Sequence, residues 1–204
     1  MPQSGADATR LCQVWFPGVH INVGGGSTEN IKTVPREDRE QFADITLAWM
    51  LDMTQPYLAL SQERINQELG ITDNLRQVSY GSGTIYNSYS LTYRIFLGGA
   101  KIRTPAAYHD SGHAYTVERI HHSVHFRQDA NDYEPVALGG WERRRITHEG
   151  RTGWIWQKNG TDLQLWEFQL ATMEDDISVE RRLIDSFQDR RASEMLQQLD
   201  TEWV

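Results

Sequence analysis

The stretch that most restricts the fold of this chain is residues 14–27, VWFPGVHINVGGGS, in which an aromatic run precedes three consecutive glycines. Residues Gln13 to Val19 favour a short strand because they are rich in valine, tryptophan and phenylalanine. Pro17 lies near the end of this run, where a missing N–H is tolerated. Residues 24–26 then interrupt the regular structure. We therefore expect a short strand that leads into a tight turn carrying His20.

His20 is either a catalytic group or an ordinary loop residue. An imidazole held just after a strand can act as a general base, and glycine N–H groups could line an anion pocket. Spacing alone favours the plainer interpretation, a glycine-rich strand-to-helix connection that contains a histidine. The stretch matches neither G-x-x-x-x-G-K-S/T nor G-x-G-x-x-G, so the sequence gives no support for a nucleotide phosphate loop.

Composition limits the class of protein. A chain of 204 residues with 39% hydrophobic residues can bury one real domain core. The formal net charge of -8 argues against general nucleic-acid binding, because phosphate contacts require a basic surface. Cys12 is the single cysteine, and no apolar run resembles a signal peptide or spans a bilayer. These features predict a soluble, cytoplasmic protein without a transmembrane segment.

Helical periodicity begins after the glycines. Apolar residues recur at spacings of three and four and predict a helix from about Asp38 to Met53; they are Phe42, Ile45, Trp49 and Met53. Asp38 and Gln41 form a capping pair at its start. A second helix is expected from Ser61 to Leu69, with Ser61 as N-cap, Gly70 in the left-handed position after the last turn, and Ile71 folding back on the helix end.

The later part of the chain contains one clear hairpin. Asn159-Gly160 predicts a two-residue type I′ turn that pairs Lys158 with Thr161 and sets Trp156 opposite Leu163. The basic run WERRRITHEGR, residues 141–151, is expected to form the solvent face of a strand beside this hairpin. A final helix is expected from about Ser178 to Leu199. Residues 72–117 show no sustained period, and only residues 91–97 suggest a regular element.

Three ordered motifs give the chain a family resemblance. The blocks VWFPGVHINVGGG, FADITLAWML and TVERIHHSVHFR resemble the uncharacterised α/β-hydrolase domain shared by bacterial type VI secretion phospholipase effectors and many fungal proteins. The family patterns are W-F-P/A-G-x-H-x-D/N-V-G-G-G, D-I-x-L-x-W-M and T-x-E-x-I-H-P-S-V. His122 replaces the usual proline, and Asn22 stands where bacterial members usually carry aspartate. The resemblance covers about the first quarter of the chain closely and the middle loosely.

The resemblance implies a serine esterase or phospholipase site with a lipid or ester substrate. His20 would be the triad histidine on the loop after the last core strand, supported by Gly18, Asn22, Gly24, Gly25 and Gly26. The triad order of such hydrolases is serine, acid, histidine, with the serine in G-x-S-x-G. No serine of this chain has that setting, because Ser27 has the first glycine but not the second, and Ser82 and Ser111 lack the glycine two residues before.

We therefore expect an α/β fold in which residues 1–60 are the C-terminal part of an α/β-hydrolase-like domain. Residues 61–204 would form an α+β extension with a loop or lid, the hairpin and the final helix. The chain has room for one parallel core strand before His20, so it is expected to be a fragment of a fungal member, inactive by itself.

Two alternatives belong to other classes. A metal-binding module could use His109, Asp110 and His113, or His121 and His125, which would share a helix face at a spacing of four. Since H-E-x-x-H is absent and Gly112 makes the first cluster a turn, we expect neither a metal nor a cofactor. A partner-binding remnant could instead pair through the exposed strand edge from Val14 to Val19. Glu118 and His121 could form an acid-base pair, but we assign this segment a structural role.

Overall fold

The computed structural model describes residues 11–26, 41–71, 78–86, 102–107, 116–148, 151–168 and 178–187. These residues form, in chain order, β1 (Leu11–Trp15), α1 (His20–Gly24), α2 (Gln41–Thr54), α3 (Gln62–Leu69), β2 (Thr116–His121), α4 (Ser123–Asn131), a 3₁₀ turn (Val136–Leu138), β3 (Trp141–His148), β4 (Arg151–Lys158), β5 (Gln164–Phe168) and α5 (Val179–Asp185). They divide into two compact units, one containing the strands and the other containing α1 to α5. The expected division into residues 1–60 and 61–204 stays a prediction.

The strand-containing unit is a mixed sheet, which agrees with the predicted α/β class. Among the described residues its strand order is β1-β2-β5-β4-β3. The first three strands are parallel, with Trp15 beside Ile120 and Ile120 beside Glu167. Within the described ranges β1 is the one strand that precedes His20, which agrees with the expected single parallel strand before that residue. β2, the parallel neighbour of β1, and β5 beyond it come later in the chain, because long connections let distant segments pair in one sheet.

β1 is shorter than predicted at its C-terminal end. The run from Gln13 to Val19 was expected to be extended throughout, but the strand begins at Leu11 and ends at Trp15. Pro17 has no N–H for a ladder bond, and Gly18 has a φ of +95°, a left-handed conformation outside the range of a strand. These two residues stop the strand and turn the chain toward His20.

The hairpin between β4 and β5 exists, but its predicted register is wrong by two residues. Trp156 pairs with Leu165, and the Lys158 N–H donates to the Leu163 carbonyl at 3.0 Å. The Thr161 N–H and hydroxyl both donate to the Lys158 carbonyl, at 3.2 and 3.0 Å, so the turn extends beyond Asn159-Gly160. A shift of two residues keeps every side chain on its original face. Trp156 and Leu165 are consequently both buried, as the alternation predicted.

The basic run forms β3, which confirms the strand predicted beside the hairpin. Arg144 and Arg145 are exposed, but Arg143 is half-buried and points to a carboxylate. Its Nε and Nη2 atoms donate to Glu167 at 2.7 and 2.8 Å, and Glu167 is buried. The Trp156 indole N–H donates to the same carboxylate at 3.0 Å, and the Arg143 guanidinium lies 3.6 Å from the centre of the Trp154 ring. The Glu167 carboxylate of β5 thereby joins β3, through Arg143, and β4, through Trp156.

The helical unit has a core built from α2, α3 and α5 together with aromatic side chains from neighbouring segments. Its buried members are Phe42, Ile45, Ala48, Ile65, Leu69, Tyr80, Val179, Leu183, Ile184 and Phe187. Both predicted caps of α3 are confirmed. The Ser61 hydroxyl accepts from the Arg64 N–H, Gly70 is left-handed with a φ of +63°, and the Ile71 N–H donates to the Asn66 carbonyl at 2.9 Å.

The predicted helix from Ser178 to Leu199 is confirmed only at its start. Ser178 is the N-cap, and its hydroxyl accepts from the Arg181 N–H. The helix ends at Asp185 with Ser186 as its C-cap, and residues 188–199 of the predicted span lie outside the described residues. The start of α2 at Asp38, the element at residues 91–97 and the cluster of His109, Asp110 and His113 lie outside the described residues.

Asp52 of α2 holds the N-terminus of α5. Its carboxylate is buried and accepts from the Ser178 hydroxyl at 2.9 Å and from the Val179 and Glu180 N–H groups at 2.7 and 3.0 Å. Asp52→Ala is expected to lower the free energy of unfolding by about 2 kcal/mol, because it leaves these donors without an acceptor. Urea unfolding followed by circular dichroism measures this loss. Asp162→Ala, at an exposed loop position, should change the midpoint little, and equal effects of the two would contradict the assignment.

Candidate active site around His20

His20 is the first residue of α1, a single helical turn that begins five residues after β1 ends. The side chain of His20 is exposed to solvent. The Asn22 and Val23 N–H groups both donate to the Val19 carbonyl, at 2.9 and 3.2 Å, and close this turn. The backbone therefore presents the imidazole at the surface from a short, hydrogen-bonded segment.

Asn22 ties this turn to itself and to a neighbouring loop. The side chain is buried, its Oδ1 accepts from the Val19 N–H at 3.1 Å, and its Nδ2 donates to the Thr84 carbonyl at 3.0 Å. A carboxylate could make the first contact but has no hydrogen to donate in the second. The amide of Asn22 thus joins the turn to residue 84, where a carboxylate would repel that carbonyl.

Two of the predicted supporting glycines are required by close approach. A Cβ on Gly18 would lie 2.7 Å from the Asn22 Cβ and 2.8 Å from its Oδ1, closer than real side-chain atoms come. The Gly18 N–H also donates to the Tyr133 hydroxyl at 3.2 Å. Gly25 ends α1 with a φ of +73°, and a Cβ there would lie 3.2 Å from the Ala43 Cβ. Gly24 and Gly26 are exposed and have open space around the Cβ position.

The loop of residues 78–86, which accepts the hydrogen bond from Asn22, is itself held by two long polar side chains. Gln41 is buried at the start of α2; its Nε2 donates to the Ser79 carbonyl at 3.0 Å and its Oε1 accepts from the Gly83 N–H at 2.9 Å. Arg127 of α4 donates to the Gly83 carbonyl at 2.6 Å. The guanidinium of Arg127 also lies 5.8 Å from the centre of the Tyr133 ring. A continuous network of contacts therefore fixes the His20 turn.

Sequence reasoning missed most of this network. Gln41 was assigned to a helix cap, and Thr84 and Tyr133 had no assigned role. Residues 78–86 lack a period, so no pattern indicated that their carbonyl groups serve as acceptors. The one signal in the sequence is Gln41 on the apolar side of a predicted helix. A buried amide almost always finds hydrogen-bond partners, so a glutamine there indicates a nearby loop that supplies them.

The third motif, TVERIHHSV, forms β2 and the start of α4. His121 is the last residue of β2, and His125 lies in α4, so the expected helix face shared by these two histidines is wrong. Parallel pairing with β1 and β5 makes residues 116–121 a strand, although histidines four residues apart can also suit a helix. Glu118 accepts from the Trp15 indole at 3.1 Å and from the Ala106 N–H at 2.8 Å, in agreement with a structural role.

His121 gives the protein a defined response to acid. Burial lowers the pKa of His121 from 6.5 to about 3, although the nearby Glu167 carboxylate acts in the opposite direction. The folded protein keeps this imidazole neutral, whereas the unfolded chain protonates it below pH 6.5. Stability is therefore complete above pH 6.5 and falls by roughly 1 kcal/mol per pH unit from there toward pH 3.

His121→Gln should flatten this part of the stability profile, measured by urea unfolding at pH values between 7 and 4. The same substitution at His125, which is half-buried beside Asp129, serves as the control and should leave the slope in place. An unchanged slope in His121→Gln would contradict the role of the buried imidazole.

One family of known proteins resembles the part of the chain that contains the His20 turn. The described residues define an α/β protein whose first strand leads into a braced histidine turn. The family model of the catalytic domain of Tle1-like phospholipase effectors of the type VI secretion system matches residues 2–53. This span contains β1, α1 and nearly all of α2. The matched part of the chain is thus similar to a phospholipase-effector catalytic domain, which is an esterase-like hydrolase region.

No curated protein and no solved structure matches the chain. In the described part of the chain, no helix has the length and apolar character needed to cross a membrane.

Proposed function

We propose that this chain carries the general-base histidine of an esterase of the phospholipase type, and that His20 is that histidine. The observation that carries the proposal is the position of an exposed imidazole on a rigidly braced turn within residues 2–53, the part similar to the effector catalytic domain. A general base must be held at a fixed point while its ring stays accessible to the reacting groups. The contacts of Gly18, Asn22 and Tyr133 support the first requirement, and the exposure of His20 supports the second.

In the proposed reaction the His20 imidazole removes the proton from a serine hydroxyl as that oxygen attacks the ester carbonyl. The same proton then passes to the departing alcohol as the carbon–oxygen bond breaks and an acyl-serine remains. Water, activated by the same imidazole, releases the acid and restores the serine. No serine among the 204 residues lies in G-x-S-x-G, so the proposal places the serine and its acid partner outside these residues. The 204-residue chain is accordingly inactive by itself.

Labelling with a fluorophosphonate probe tests this proposal. The polypeptide purified from its natural source should be labelled and should release fatty acid from phosphatidylcholine. His20→Gln should reduce both signals by about 10²- to 10⁴-fold, while His125→Gln should leave them unchanged. The isolated 204-residue chain should show no labelling. Full labelling in His20→Gln would contradict the role of His20, and labelling of the isolated chain would show that it contains its own nucleophile.

A second candidate function is association through the edge of the sheet. β1 stands at the end of the strand order, and Leu11 and Cys12 on it are exposed. Such an edge can pair with a strand of another chain, as predicted for residues 14–19. Gel filtration with light scattering should then show an assembly that Leu11→Lys disrupts, since a charged edge opposes pairing. A monomer at all concentrations would exclude this candidate.

A further inference from the structure

Two long-range hydrogen bonds hold the His20 turn, one on each side of the histidine. The Gly18 N–H, two residues before His20, donates to the Tyr133 hydroxyl at 3.2 Å. The Asn22 amide, two residues after His20, donates to the Thr84 carbonyl at 3.0 Å. Thr84 and Tyr133 are therefore the two supports of the turn. A bond on each side fixes the direction of the histidine as well as its position.

The first support, Thr84, is placed by Arg127 of α4. The Nη1 atom of Arg127 donates to the Gly83 carbonyl, one residue before Thr84, at 2.6 Å, and to the Gly81 carbonyl at 3.4 Å. Gly81 is buried with a φ of +80°, and a Cβ there would lie 2.8 Å from the Phe126 Cβ and 3.1 Å from the Arg127 backbone nitrogen. The loop that carries Thr84 thus lies directly against α4.

The second support, Tyr133, faces the same guanidinium. The Cζ atom of Arg127 lies 5.8 Å from the centre of the Tyr133 ring and 5.7 Å from the centre of the Phe42 ring. Both distances lie within the range of about 6 Å in which an aromatic ring attracts a cation. Arg127 therefore contacts Tyr133 itself and the residue next to Thr84, so that both supports of the His20 turn converge on one side chain.

The shape of arginine suits this junction. The guanidinium is planar, with N–H donors around its edge and flat faces that stack on aromatic rings. One side chain can therefore donate to loop carbonyl groups while it lies against Tyr133. A lysine ammonium could still donate to the Gly83 carbonyl, but it has no flat face for the ring. Methionine has a similar length and no donor.

We propose that Arg127 is a positioning residue of the esterase site, which orients the His20 imidazole through Thr84 and Tyr133. The catalytic part of this inference rests on the proposed function, in which His20 is the general base. Arg127 acts by holding the turn that carries the base, without touching the substrate. A displacement of about 1 Å can lower a rate by about 10²-fold, so the loss of Arg127 should reduce kcat and leave KM nearly unchanged.

Nuclear magnetic resonance relaxation of the 204-residue chain tests the positioning role without any activity. The backbone order parameters of residues 18–22 should be about 0.85 in the wild type and fall below about 0.6 in Arg127→Met, with Arg127→Lys between them. Arg182→Met is the matched control, because Arg182 is also half-buried but joins α5 to Asn66 and Gln62 of α3. It should leave these order parameters unchanged, even where it lowers the thermal midpoint.

The natural polypeptide tests the catalytic consequence. Arg127→Met should lower kcat for phosphatidylcholine by about 10- to 100-fold, with a change in KM of less than about twofold. Arg127→Lys keeps the charge and a donor for Gly83, so it should give a smaller loss and provides the measurement if Arg127→Met does not fold. Adding Arg127→Met to His20→Gln should cause no further loss, because Arg127 acts only through His20.

Three results would overturn the positioning role of Arg127: wild-type order parameters in both Arg127 variants, an equal fall in Arg182→Met, or a full further loss of kcat when Arg127→Met is added to His20→Gln. The two proposals can fail separately. Unchanged labelling in His20→Gln would contradict the proposed function, whereas the order parameters would still decide whether Arg127 holds the turn. Reduced labelling in His20→Gln with unchanged order parameters in the Arg127 variants would contradict only the present inference.

Discussion

Glu167→Ala is expected to lower the free energy of unfolding by about 3 to 5 kcal/mol, because it removes one partner of a buried ion pair. Glu167 accepts two hydrogen bonds from Arg143 and one from the Trp156 indole, and only 3% of its surface is exposed. Without the carboxylate, the Arg143 charge is left between strands with no partner of opposite sign. Urea unfolding followed by tryptophan fluorescence measures the loss.

Two further variants separate the ion pair from the effect of truncating a side chain. Glu142→Ala, at an exposed position on β3, should change the unfolding midpoint little. Combining Glu167→Leu with Arg143→Met should recover more than half of the lost stability, since removing both charges avoids an unpaired buried ion. A double variant as unstable as Glu167→Ala would show that packing, and not the unpaired charge, causes the loss.

Gly18→Ala is expected to cost about 2 to 4 kcal/mol, because the new methyl group would need a left-handed backbone and would collide with Asn22. The Cβ position lies 2.7 Å from the Asn22 Cβ at a φ of +95°. Relief of this collision must move Asn22 away from the Val19 N–H or from the Thr84 carbonyl, and the His20 turn loosens in either case. We expect a lower thermal midpoint together with reduced probe labelling in the natural polypeptide.

Gly24→Ala provides the matched control for this substitution. Gly24 lies in α1 with nothing within 4 Å of the Cβ position, so alanine should be neutral or stabilise by up to about 1 kcal/mol. Equal losses in Gly18→Ala and Gly24→Ala would mean that the turn tolerates no added side chain. The close approach to Asn22 would then not be the cause.

Local features were predictable because their causes lie within a few residues. The Ser61 hydroxyl and the left-handed Gly70 cap α3 through contacts at separations of three to five residues, which a sequence pattern can represent. The shared, buried face of Trp156 in β4 and Leu165 in β5 was also predicted, since strand alternation has a strict period of two. Their register was not, because hydrogen bonds from Thr161 lengthened the turn.

In the candidate site, too, nearby features were predictable from the sequence and long-range contacts were not. The family resemblance singled out His20 and its glycines, and the match to residues 2–53 supports the esterase-like context. The hydrogen bonds that hold the His20 turn were not predictable. Asn22 pairs with Thr84, 62 residues away, and Gly18 pairs with Tyr133, 115 residues away. Pairing at such separations depends on how α2, α4 and the loop of residues 78–86 pack, and no local propensity encodes that packing.

The amino-acid sequence by itself determined that a strand precedes His20, that Ser61 and Gly70 cap α3, and that Trp156 and Leu165 share a face of the hairpin. Each of these depends on backbone limits or short-range hydrogen bonds. The tertiary structure decided that β1 has a later, parallel neighbour in β2, that residues 116–121 form a strand, and that Asn22 and Asp52 hold distant segments. These contacts form hydrogen bonds between groups that are distant in sequence and that come together only when folding excludes water. The free energy that selects them therefore exists only in the folded chain.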